Sequence, residues 1–161
     1  MIMTATLTPV GTPDTGGESD AAHFVASQVR QSKRALYETY TFGHAYHNSL
    51  SDLVSVRQEC GTSDWDGYGA QPVKNDTVWI AYLVLESLPP GLPEPRIGAE
   101  PDGEVTLEWH KTSRRTLSVS VSPDGLLHYS ALIGPNKQFG TEVFSREMPQ
   151  NILALIRRVL A

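Results

Sequence analysis

The hydrophobic pattern of this chain turns from helical to alternating spacing across a proline-rich stretch, and returns to helical spacing after Pro149. Between Phe24 and Val54 the large apolar residues recur at helical steps and Val78 to Leu85 is continuously apolar, whereas from Val105 to Val121 they alternate. Residues three and four apart share one face of a helix and alternate residues share one face of a strand, so no single element type accommodates both halves. Pro89 to Pro95 lies between them, with four prolines and one glycine. Proline fixes φ and donates no hydrogen bond, so this stretch reads as an extended connector. The pattern predicts an α+β fold: a helical N-terminal half, an antiparallel meander of four to five strands, and a closing C-terminal helix packed on one sheet face.

Within the helical half, Phe24, Val25, Val29, Leu36, Tyr37 and Tyr40 recur at helical spacing behind Asp20, a good N-cap, and predict a helix over 21–40. Leu50, Leu53 and Val54 predict a second helix ending near Cys60 and Gly61. Val78 to Leu85 is continuously apolar, which suits a buried strand or a buried helix. Asn75 or Asp76 as a cap, and the length to Leu88, favour helix, with strand as the alternative. Residues 1–20 are rich in Thr, Pro, Gly and Asp and predict a flexible tail. With 161 residues, 40% of them hydrophobic, the remainder makes one domain: helical half 21–88, connector 89–95, sheet and C-terminal helix 96–161.

Beyond the connector, Val105, Leu107 and Trp109 alternate with Thr106, Glu108 and His110, and Leu117, Val119 and Val121 alternate with Ser118 and Ser120. Pro101-Asp102-Gly103, Pro123-Asp124-Gly125 and Gly134-Pro135-Asn136 supply the reversals. Ile152, Leu155, Ile156 and Val159 behind Pro149 form the stripe of the last helix, with Arg157 and Arg158 where the helix dipole favours cations.

Charge and cysteine content narrow the function classes. A formal charge of -5 opposes a phosphate-binding surface. The lone Cys60 forms neither an internal disulfide nor half of a CxxC knuckle, which with no basic, apolar leader points to a cytoplasmic protein. No apolar run has the length of a membrane span, and no motif calls for a cofactor.

The segment least like routine secondary structure is Asp64-Trp65-Asp66-Gly67-Tyr68-Gly69-Ala70-Gln71-Pro72. Glycine and aspartate there are turn devices, which leaves the aromatics to cap a core or face a partner. Asp64 and Asp66 could join His44 and His47, three residues apart, in a small metal-dependent hydrolase, although the histidines lack the glutamate of the HExxH pattern. Cys60 would need a base in reach to serve as a nucleophile, and nothing in the spacing provides one. Glu108 and His110 share the strand face expected to be solvated, so they read as surface residues. Lys111, Arg114 and Arg115 make a basic hairpin tip, the footing for a nucleic-acid reading that the overall charge disfavours.

The turn Asp64 to Pro72, the proline-rich stretch, and Asp102-Gly103-Glu104-Val105 leading to Leu107-Glu108-Trp109 resemble a group of small bacterial proteins of no established activity. In that group a Trp-Asp-Gly-Tyr-Gly-Ala-x-Pro turn precedes a helix and, later, an Asp-Gly-x-x-x-Leu-Glu-Trp strand. The resemblance covers Asp64 to Trp109 and implies that turn and strand form one unit, with Trp65 or Tyr68 packing near Trp109. No catalytic residue carries over. The expectation is a non-enzymatic interaction module of bacterial or phage origin, of the antitoxin, immunity, anti-defence or complex-subunit kind. Its partner would be another protein, met by Asp64, Trp65, Asp66 and Tyr68, since Trp and Tyr often anchor interfaces.

Overall fold

Alternation beyond the connector produces a sheet with one dry face. In the computed structural model, which describes residues 46–161, strands β1 (Arg96–Ala99), β2 (Val105–Thr112), β3 (Arg115–Val121), β4 (Leu126–Ile133) and β5 (Asn136–Val143) form an antiparallel meander in the order β1-β2-β3-β4-β5. Val105, Leu107 and Trp109 on β2 lie beside Val121, Val119 and Leu117 on β3, and all six are buried. Helix α3 (Gln150–Leu160) covers this face of β2, β3 and β4, inserting Ile152, Leu155, Ile156 and Val159. The intervening residues of β2 and β3 form the other face, where Glu108 and His110 are exposed, as their alternation predicted. Phe139 and Val143 of the edge strand β5 are exposed as well.

Helices α1 (His47–Glu59) and α2 (Asn75–Glu86) complete the described residues, so the continuous apolar run is helical. Helix α2 buries Ala81, Val84 and Leu85, while Trp79 turns outward and stacks on Tyr82 with ring centroids 5.4 Å apart. Its start differs from the expected capping. Lys74 occupies the N-cap with no side-chain cap bond, and the Asn75 Oδ1 accepts from the Arg57 Nε instead. A neighbouring arginine outcompetes the local backbone for that amide. The tail 1–20, the helix over 21–40 and His44 lie outside the described residues.

The proline-rich connector is more than a spacer. A turn at its start, with Gly91 at φ +87°, gives way to extended chain. Proline has no N–H to give but keeps its carbonyl, and three of these carbonyls accept bonds from distant residues. The Tyr46 hydroxyl donates to Pro89 O at 2.8 Å, the Ser49 hydroxyl to Pro95 O at 2.7 Å, and the Trp109 indole N–H to Pro93 O at 3.0 Å. Glu94 adds the charge, accepting the Ser49 backbone N–H at 2.8 Å and the Asn48 amide at 3.2 Å. A carboxylate at a helix N-terminus satisfies orphan donors and complements the dipole, so the connector caps α1 while holding β2 through Trp109. At the same end of the sheet, Lys111 donates to a carbonyl in the last turn of α3, Leu160 O, at 2.7 Å. One cation of the basic tip is therefore a helix cap.

Candidate functional site

Residues 60–73 form a closed loop between α1 and α2. The Val73 N–H donates to Cys60 O at 2.8 Å and the Asp64 N–H to Ala70 O at 2.8 Å, drawing the ends together. The chain must reverse tightly inside this frame, which places Asp64 at φ +61°, Gly67 at +74° and Gly69 at +92°. Glycine adopts such angles without penalty, and aspartate tolerates them by bonding nearby backbone. The Asp64 Oδ1 accepts the Gly69 N–H at 2.7 Å, and the Asp66 Oδ1 accepts the N–H groups of Tyr68 at 2.8 Å and Ala70 at 3.1 Å. Both carboxylates build the loop.

The two aromatics part company. Trp65 is half-buried against the core, and its indole N–H donates to Gln71 O at 2.9 Å, closing the loop from within. Tyr68 is 94% exposed at the tip. The expected packing near Trp109 therefore fails for Tyr68, because the tight turn at Gly67 and Gly69 points its ring to solvent.

A second turn braces the loop. The Gln71 N–H donates to Pro101 O at 2.8 Å, and Gly103, at φ +89°, sits so close that a Cβ there would lie 2.9 Å from Pro72 O. That turn, Pro101-Asp102-Gly103, joins β1 to β2, and its twin Pro123-Asp124-Gly125 joins β3 to β4 at the same end of the sheet. Asp102 accepts the Glu104 N–H at 3.1 Å, and Asp124 accepts the Ser122 hydroxyl, which holds the Asp124 carboxyl below its ordinary range.

Loop and turns together concentrate negative charge. Asp64, Asp66, Glu100, Asp102, Glu104 and Asp124 lie on them, and the segments 58–73, 97–110 and 116–136 contain no Lys or Arg. The crowding registers on Glu104, whose carboxyl is pushed above its ordinary range by burial first and by the Asp102 charge second. Asp124 and Glu100 add to this, and His128, 3.8 Å away, opposes it.

That shift has a testable sign. A carboxyl raised in the fold binds its proton more readily there than in the unfolded chain, so its stabilising share is complete below the unfolded value and lost as pH rises through the folded one. Glu104→Gln is expected to be more stable than the parent at neutral pH, with the gain vanishing in acid. Urea melts across that pH range check this, and a variant less stable at neutral pH would contradict it.

The other candidates do not converge. His47 stands exposed at the start of α1, and among the described residues no group of three or more His, Cys, Asp or Glu is placed to hold a metal ion. Cys60 is buried at the C-cap of α1, where desolvation and then Glu59 push its thiol up, opposite to what a nucleophile requires. Glu108 and His110 form an exposed pair 3.8 Å apart. Lys111 caps α3, and Arg114 lies exposed in the tip.

Sequence reasoning missed the acidic rim, although the signal was present in two Pro-Asp-Gly turns free of cations, the first of them flanked by Glu100 and Glu104. Comparison of the chain with protein-family models, with curated proteins and with solved structures found no match. The resemblance of Asp64 to Trp109 thus supplies no assignment, and the reading rests on geometry.

Proposed function

We propose that this protein is a non-enzymatic interaction module that meets another protein through the Asp64–Pro72 loop, with Tyr68 as its anchor. The carrying observation is the contrast between an aromatic ring 94% exposed and a loop whose backbone is hydrogen-bonded at nearly every step. A rigid support spares the ordering cost of binding, and tyrosine offers a large amphipathic surface with few rotatable bonds. Asp64, Asp66 and Trp65 support the anchor: the acids fold the loop, and Trp65 ties it to the core. The antitoxin, immunity, anti-defence or complex-subunit roles all fit such a module.

Affinity purification of the tagged full chain from its native host tests this, with wild type and Tyr68→Ala run side by side. The wild type should retain a stoichiometric protein partner, and Tyr68→Ala should bind it roughly thirty-fold more weakly, the loss of about 2 kcal/mol that defines a hot spot. Because the ring is so exposed, the melting curve should not move. A wild type that purifies alone, or a partner held equally by both, would defeat the reading.

A further inference from the structure

We propose that the Tyr68 loop and the two Pro-Asp-Gly turns form one docking surface for a cationic partner segment, an extended arginine-bearing stretch that lays a guanidinium on the Tyr68 ring and meets the rim carboxylates. This rests on the functional reading above and adds the chemistry of the partner. The loop and the first turn are physically one surface, joined by the Gln71–Pro101 bond and the contact of Gly103 with Pro72. The second turn continues it, since β3 lies beside β2 in the sheet.

Two observations select a cation. Among the described residues the six carboxylates meet only backbone N–H groups, hydroxyls and His128, and the cations that flank the loop, Arg57 and Lys74, sit at its base, where Arg57 bonds Asn75. Among the described residues none of the six forms an ion pair with a lysine or arginine, so within residues 46–161 only His128 offsets their charge from a side chain. The second observation is the aromatic ring projecting beside them. An inorganic cation would have no use for it, and the described acids are not grouped as metal ligands. A guanidinium uses both features, because it stacks on an aromatic face and pairs with carboxylates through a planar fork.

The test titrates the full-length protein with a short fluorescent peptide of alternating arginine and serine, against the same peptide carrying glutamate. The arginine peptide should bind saturably at low salt and weaken steadily as salt is added. Tyr68→Ala should reduce its affinity roughly two- to five-fold. Asp102→Asn, which keeps the acceptor oxygen, should reduce it about two-fold. Asp52→Asn on α1 makes the same change in net charge away from the rim and should leave binding unaltered. Arginine and glutamate peptides that bind alike overturn the inference, as does arginine binding indifferent to both Tyr68→Ala and Asp102→Asn. If a native partner is nevertheless captured through Tyr68, the functional reading survives and only the cationic chemistry falls. Native capture indifferent to Tyr68→Ala removes the functional reading itself.

Discussion

Trp109→Ala is expected to lower folding stability by about 3–5 kcal/mol, the range for emptying a large aromatic site in a packed core. Trp109 is 1% exposed and sits on the sheet face covered by α3. Its loss also removes the donor to the Pro93 carbonyl, the connector's tie to β2. Trp109→Phe separates the two contributions. Phenylalanine retains most of the apolar contact and removes the indole donor; because Pro93 is exposed and water can reach its carbonyl, the cost should approach the net worth of one hydrogen bond, about 0.5–1.5 kcal/mol. Urea denaturation of the three proteins measures both differences. A Trp109→Phe variant as stable as the parent would show that the bond to Pro93 contributes nothing net.

Gly103→Ala carries the second large effect and reaches the site without touching a partner. Its φ of +89° strains any residue with a Cβ, and the new methyl would meet the rigid backbone oxygen of Pro72 at 2.9 Å. Strain and overpacking together should cost about 2–4 kcal/mol. Gly125, at φ +82° in the twin turn, has open space around its Cβ position. Gly125→Ala should therefore show only the conformational part, about 1–2 kcal/mol, and the difference between the two variants isolates the loop-to-turn contact. Because that contact braces the Tyr68 loop, Gly103→Ala should weaken partner capture and Gly125→Ala should not. Equal melting shifts for the two glycines would mean that the brace yields freely.

Local chemistry explains which parts of the fold could be read in advance. Alternation in Val105 to Trp109 and Leu117 to Val121 named the dry face of the sheet, because a strand presents successive side chains to opposite sides wherever it is placed. The reversals at Pro101 to Gly103 and Pro123 to Gly125 were equally legible, since proline and glycine impose their backbone angles locally. Capping was less so. Asn75 has the right chemistry to cap α2 but spends its oxygen on Arg57, a competitor eighteen residues away that no local rule anticipates. The same holds for Lys111, which belongs to a hairpin tip in sequence and to a helix terminus in space.

What the sequence by itself determined was the passage from helices to an antiparallel meander, the dry face of β2 and β3 and the closing helix, together with the turn character of Asp64 to Pro72, where glycine and aspartate select left-handed backbone angles. The tertiary structure alone decided that Trp65 faces inward while Tyr68 faces out, and that Glu94 caps a helix begun 47 residues earlier at His47. It also gathered six separated acids onto one rim. Backbone preference acts over a few neighbouring residues, whereas burial, capping and summed charge depend on which segments fold together.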